Sequence, residues 1–389
     1  MTDPTRDRPG GRIAVIDVLR GVALVGILLV NIILMGGPID SYRPAAPASL
    51  ANSDWVAWWI SHLFIYGSMR GLFSILFGAS ALLFLAAGGR EVAFLLRSGW
   101  LFCFGAVNAT LLLWPGDILM IYALVAPLLL LFRQAAPGRL LAVGLALLVI
   151  LACWAYLDTQ AGSLTPAAAR SEALVLEAHA RLGGYLANLH FMAHHAAWWM
   201  LSAMRLFWLL DAFAFMLIGM ALFRLGLLDG AAPTGTYVIL LLIGVLIGLP
   251  LRCAEALSAW PHDGRFRRWP RRAFQVGRLA VSLGWIGAVM LLWRALPWRA
   301  AFTPLAALGR MALSGYLAQS AIAALVFSGF GLGLWNQLGW LQRWALALLI
   351  MALLAFASRL WLERFAMGPA EWLWRRLTFG WRRRQDQPA

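Results

Sequence analysis

Asp17, Arg20 and Asn31 interrupt an otherwise apolar run, Ile13 to Met35, that is long enough to cross a bilayer. At about 3.6 residues per turn, a step of three sets Asp17 beside Arg20. A step of eleven turns the helix only about 20° past three full turns, so all three side chains share one face. A charge at bilayer depth costs roughly 2.5–3.5 kcal/mol on insertion scales, so such residues pair, face a bundle interior and line a site or pathway. The Asp17–Arg20 combination is either a structural ion pair or part of an anion site, because a guanidinium meets a carboxylate or phosphate in a bidentate fork. Asn31 donates and accepts but takes no catalytic proton, which suits interhelical glue or a substrate contact.

Asp117, after Trp114-Pro115-Gly116, stands where a carboxylate caps the free N–H groups of a following helix. Facing a cavity instead, it would be a general base with a pKa raised by desolvation. His62, among Trp58, Trp59 and Phe64, is an interfacial histidine or an alternative base. Arg310, Ser314, Tyr316, Gln319 and Ser320 form a dense polar cluster; on one continuous helix Arg310 and Ser314 fall on one side and the other three roughly opposite. That pattern fits a helix lining a site on at least one side or bonding its neighbours. Arg205 and Asp211 are six apart on separate faces and must each find another helix, and Ser74 reads as a small helix-contact residue. His190, His194 and His195 include a metal-capable i, i+4 pair, but without a zincin glutamate or a third ligand they are expected at the headgroup level, and no metal site is assigned.

The elements that position these residues follow from composition. The chain has 389 residues, 62% hydrophobic and only 13% charged, too little polar surface for a soluble globule. We read an all-α polytopic transmembrane bundle of about ten spans, Ile13–Met35, Gly71–Ala87, Val92–Leu113, Ile118–Phe132, Leu140–Leu157, Met200–Phe223, Tyr237–Leu251, Leu279–Leu296, Leu305–Phe330 and Trp344–Phe365. Trp55 to Tyr66 feeds the second. A polar insert from Asp158 to Asn188, with Pro166 near its start, is expected as an amphipathic helix on the membrane surface. In domain terms this gives a cytoplasmic tail 1–12, one membrane domain 13–376 with a C-terminal module at about 220–380, and a basic tail 377–389.

The net charge of +15 comes from 32 basic residues, all arginine, clustered between apolar segments and at the ends. Anionic lipid headgroups, not nucleic acid, are the expected partners. Arg6, Arg8 and Arg12, the loops at Arg90 and Arg133, and the tail after Trp372 place both termini in the cytoplasm; the basic stretch Arg252 to Arg278 then conflicts with the charge rule. Cys103, Cys153 and Cys253 are single and far apart and read as small core residues. Glu371, Trp372 and Trp374 read as an interfacial belt.

Five polar marks in order carry a resemblance: Ile16 to Ile32 with Asp17, Arg20-Gly21 and Asn31; Leu72-Phe73-Ser74-Ile75-Leu76-Phe77-Gly78; Gly116-Asp117-Ile118-Leu119-Met120-Ile121-Tyr122; Gly309-Arg310-Met311-Ala312-Leu313-Ser314-Gly315-Tyr316-Leu317-Ala318-Gln319-Ser320; and Gly368-Pro369-Ala370-Glu371-Trp372-Leu373-Trp374-Arg375-Arg376-Leu377. Over nearly its whole length the chain resembles the YeiB family of bacterial inner-membrane proteins, whose function is unknown. The same first helix is remotely similar to integral-membrane acyltransferases, which look to a His near its end; this chain has Asn31 there. It also has Asn108 where YeiB relatives commonly show His. The resemblance implies a multi-pass inner-membrane protein with Asp17, Arg20, Asn31, Asn108, Tyr122, Arg310, Ser314, Tyr316 and Gln319 as candidate substrate contacts and Asp117 or His62 as base. It also implies acyl-CoA as the candidate donor and a small molecule or lipid as acceptor. A carrier for a small anion using the same polar stripe is the alternative. Oligomeric state is not legible.

Overall fold

The computed structural model describes residues 13–39, 53–86, 90–158, 167–202, 204–258, 274–295 and 301–380, and among them all regular structure is helical. Helix α1 (Ala14–Met35) is followed by α2 (Asp54–Ile60), a π-helical turn at Ser61–Ile65, α3 (Ser68–Ala86), α4 (Glu91–Ala109), α5 (Leu119–Leu129) and α6 (Pro137–Asp158). Then come α7 (Ala167–Leu182), α8 (Tyr185–Leu201), α9 (Met204–Arg224), α10 (Thr234–Ile243), a second π-helical turn at Gly244–Gly248, and α11 (Leu249–Ser258). The chain continues through α12 (Phe274–Arg294), α13 (Thr303–Arg310), α14 (Ala312–Phe327), α15 (Trp340–Arg364) and α16 (Pro369–Phe379). Eight segments among the described residues are long and apolar enough to cross a membrane, nine with the bent pair α13–α14, and Leu119–Phe132 is a shorter apolar helix. Every apolar segment expected from the sequence is therefore helical.

Helix α1 is the axis of the bundle: Val18, Leu19, Ala23, Leu24, Leu28 and Ile32 are fully buried, with α3, α13, α14 and α15 around it. That enclosure is why its polar residues are tolerated, since they face protein rather than lipid. Glycines set the closest crossing. A Cβ on Gly309 would lie 1.8 Å from the Asp17 carbonyl oxygen, and one on Gly21 would lie 2.1 Å from that of Leu305, so only glycine lets α1 and α13 touch backbone to backbone. Val149, Leu353 and Phe356 point outward, as a lipid-facing surface requires.

Four expectations are corrected. Leu305–Phe330 is not one helix: it bends by 88° at Met311, which leaves Arg310 and Ser314 on different helices and removes the shared face assigned to them. Helix α7 lies at the surface, with residues 171–176 exposed, but the side it turns inward is charged rather than apolar. Its charged pair is buried instead, Arg181 Nε donating to Glu177 at 2.8 Å while Arg181 Nη1 donates to the Met35 carbonyl at 3.2 Å. The start of that insert, 159–166, lies outside the described residues. Cys103 and Cys153 sit on the outer face rather than in the core. Arg252 and Arg278 are not loop arginines: both are buried, Arg252 donating to the carbonyls of His62 and Tyr66 at 2.9 Å each and Arg278 paired with Asp211. Those two side chains satisfy backbone and carboxylate oxygens inside the bundle, so they drop out of the charge rule. Residues 259–273 between them, like tails 1–12 and 381–389, lie outside the described residues.

Candidate functional site

The arginine of the first helix is held from two sides. Arg20 Nη1 donates to Asp17 Oδ1 at 2.8 Å and Nη2 donates to Ser80 Oγ of α3 at 2.5 Å. The glycine crossing brings the end of α13 alongside, so Arg20 and Arg310 line one cavity of about 230 Å³ together with Ser80, Arg97, Tyr316 and Glu371, against Phe73, Phe77 and Phe84. Arg310 also donates to the Ala366 carbonyl at 3.1 Å. Arg97 of α4 lies 4.8 Å over the Phe84 ring and 3.9 Å over Trp374, the latter fixed by a 2.9 Å bond from its indole N–H to the Arg97 carbonyl. The bend at Met311 exposes the first N–H groups of α14, which would be costly unpaired inside a membrane. Glu371 satisfies them, accepting from Leu313 N at 2.8 Å, Ser314 N at 3.1 Å and the Ser314 hydroxyl. Glu371 and Trp374 are therefore turned into the bundle rather than set in an interfacial belt.

A second cavity, about 660 Å³, lies toward the other end of α1 and is lined by Asn31, Arg70, Asp117, Tyr122, Arg181, His194, His195 and Asp211 among mostly apolar and aromatic neighbours. Arg20 and Asn31 are roughly 16 Å apart along the helix at about 1.5 Å per residue. Asp117 accepts from Asn108 Nδ2 at 2.7 Å and from Met120 N at 2.9 Å, so it caps α5 and lines the cavity at once. It lies in the connection before α5, outside the spanning segments, and burial pushes its carboxyl up to about 7 against the opposing pull of those hydrogen bonds. Asp211 accepts from Arg70 Nη2 at 2.9 Å and from Arg278, which gives the acid of α9 its partners on α3 and α12.

Tyr122 borders both cavities. Its hydroxyl is 2.6 Å from Ser74 Oγ, and its ring is 5.1 Å from that of Phe77. The Tyr316 hydroxyl of the narrow cavity accepts from the backbone N–H of Ile118, next to Asp117 in the lining of the wide one, at 3.4 Å. The two cavities are thus stacked along α1 with Tyr122 as common wall.

Of the residues singled out in the sequence, Arg20, Arg310 and Tyr316 meet in the narrow cavity, Asn31 and Asp117 in the wide one, and Tyr122 in both. Asp17, Asn108 and Ser314 stand one layer behind, holding Arg20, Asp117 and Glu371. Gln319 lines neither, donating to Met351 Sδ at 3.0 Å. His62 also lines neither: its ring stacks on Trp58 and Tyr66, and its Nδ1 is 2.9 Å from the Trp58 carbonyl. His194 and His195, expected at the headgroups, line the wide cavity. Sequence reasoning missed Arg70, Arg97, Arg181 and the lining role of Asp211. Arg70, Arg97 and Asp211 are lone charges in or beside apolar segments, the same signal that marked Arg20, whereas Arg181 lies in the polar insert among other charges.

Apolar spanning helices wrapped around two internal cavities define a polytopic membrane protein. Residues 222–381 match a family described as protein of unknown function (DUF418). The chain is 33% identical to the uncharacterized protein YeiB of Escherichia coli (strain K12) over 385 residues, covering 93% of this chain and 95% of that protein. It is 28% identical to the uncharacterized protein YxaH of Bacillus subtilis (strain 168), covering 95% and 94%. It is also 28% identical to an uncharacterized 39.9 kDa protein of Bacillus acidopullulyticus, over the same shares. The chain belongs to the YeiB family. No solved structure matches it.

Proposed function

We propose that this protein is an acyltransferase-like enzyme of the bacterial inner membrane, passing an acyl group from an anionic donor such as acyl-CoA to a hydroxyl acceptor. The observation that carries the reading is the stacking of an arginine-lined cavity on a carboxylate-lined one across Tyr122. Arg20, Arg97 and Arg310 suit a donor's phosphate, because guanidinium forks match phosphate oxygens in number and direction. At about 230 Å³ the narrow cavity takes the short acyl end and not a whole coenzyme, so the donor's phosphates meet the arginines toward its mouth and the rest of the donor stays outside. The wide cavity holds the acceptor, drawn from membrane lipids or small molecules. Where the two cavities meet at Tyr122, the acceptor hydroxyl oxygen attacks the acyl carbonyl carbon, a C–O bond forms and the C–S bond to the thiol breaks. The hydroxyl proton passes to the Asp117 carboxylate and then to the departing thiolate. A carboxyl titrating near 7 is half ionised at neutral pH, as a general base requires.

A carrier for a small anion is the second reading, favoured by the 88° break at Met311 beside Arg310, since interrupted helices accompany transport sites. Incubating the purified protein with acetyl-labelled acetyl-CoA separates the two. The enzyme yields labelled protein or acceptor, or slow hydrolysis. Binding with no turnover under any acceptor supports the carrier, and neither binding nor turnover removes the acyl donor from both.

A further inference from the structure

The wide cavity has its own recognition chemistry, apart from the base. Asp211 is one carboxylate between two guanidiniums, Arg70 and Arg278, so the cluster carries an excess positive charge. Arg278 is fully buried, with Nε and Nη1 unpartnered, directly behind Gly67 of the lining. Arg70 spends Nη2 on Asp211 and stacks 3.8 Å over Trp208, leaving its remaining N–H groups at the cavity with no protein acceptor among the described residues. Asn31 is 9% exposed, lines the same cavity and has no hydrogen-bond partner among the described residues. Neither amide atom is shut away from the cavity, so both can donate to and accept from a group bound there. The remaining wall is mainly apolar, with Trp114, Trp199 and Trp208, and Trp198 stands 63% exposed at the α8 side, where a ligand can enter from the bilayer. At about 660 Å³ the space is in the range of small-molecule sites.

We propose that the wide cavity binds an amphiphile with an anionic headgroup, Arg70 and Asn31 meeting its phosphate or carboxylate and the tryptophan wall taking its apolar chain. This names the acceptor class for the transfer reading and rests on it for that role alone, since binding is measured without turnover. The test is titration of the full chain, in neutral maltoside detergent, with dodecyl phosphate, inorganic phosphate, dodecanol and dodecyltrimethylammonium, read by tryptophan fluorescence. Dodecyl phosphate binds most tightly. Its Kd rises about tenfold in Asn31→Leu and in Arg70→Gln, as expected for loss of a hydrogen bond to a charged group, and stays unchanged in Arg97→Gln of the other cavity. Arg70→Gln disturbs the Asp211 cluster, but Asn31→Leu leaves every ion pair intact and decides the case if the first variant does not fold. Equal affinity for dodecanol or the cationic amphiphile overturns the anionic headgroup, and equal affinity for inorganic phosphate overturns the apolar chain. An unchanged Kd in Asn31→Leu overturns the location. Acyl transfer without dodecyl phosphate binding sinks this proposal alone, and binding without transfer sinks the enzyme reading alone.

Discussion

The two cavities are built from the same helices and are chemically unlike. The narrow one gathers three arginines from α1, α4 and α13 around a single lining carboxylate, Glu371, which is engaged in capping α14. The wide one holds two lining carboxylates, and these differ: Asp211 is neutralised by arginine, while Asp117 is held by an amide and a backbone N–H. Like residue types therefore acquire different work from their partners. An acid between guanidiniums is tied up in ion pairs, whereas an acid given only neutral donors in a buried place titrates near neutrality. The contrast assigns the donor's phosphate to one end of α1, and the acceptor with its proton transfer to the other.

The largest expected effect breaks that division at its base. Asp117→Asn keeps a side chain that fits beside Asn108 but takes no proton, and transfer from labelled acetyl-CoA should fall by about 10²–10⁴ while donor affinity holds. Equal loss of donor binding would mean that the cavities are not separate in role. Next is the crossing that brings Arg20 to Arg310. Gly309→Ala drives a methyl into the Asp17 carbonyl and should destabilise the protein by about 1–3 kcal/mol, read as a lowered melting temperature in detergent. Arg97→Gln sharpens the comparison from the other side: KM for the donor rises about tenfold, kcat changes little, and the pH profile does not move. Smallest is Tyr122→Phe, which removes the bond to Ser74 but keeps the ring as wall, for a loss of about 1 kcal/mol in stability.

The pH dependence has a definite sign. Because the folded Asp117 carboxyl is raised to about 7, its ionised fraction, and with it transfer, grows as pH rises through that value. Stability runs the opposite way. The folded chain binds this proton more tightly than the unfolded chain, so the contribution is present below the ordinary carboxylate range and is lost as pH climbs to about 7. Asp117→Asn should flatten both trends, and a rate profile identical to that of the unaltered chain would remove Asp117 as the base.

Most of the fold was legible because apolar length alone marks a membrane helix, and the charges of α1 announced an interior position. The bend at Met311 was not. The two helices together are apolar enough to pass as one span, and the carboxylate that caps the N–H groups freed at the bend, Glu371, is almost sixty residues away. Arg20, Arg310 and Asp117 could be read as site residues from charge in apolar context. Their division between two cavities could not, because it depends on where α3 and α5 set Tyr122. Arg278 looked like part of a basic loop because sequence shows charge but not the Asp211 that awaits it on another helix.

With Tyr122 between them, the two cavities are expected to open toward opposite faces of the membrane. Replacing Cys103, Cys153 and Cys253 by serine and introducing Ser80→Cys or Asn31→Cys gives one reporter for each cavity. Labelling with a membrane-impermeant maleimide in right-side-out and inside-out vesicles should modify each cysteine from one side only, the two from opposite sides. Modification of both from the same side, or of neither, would contradict it.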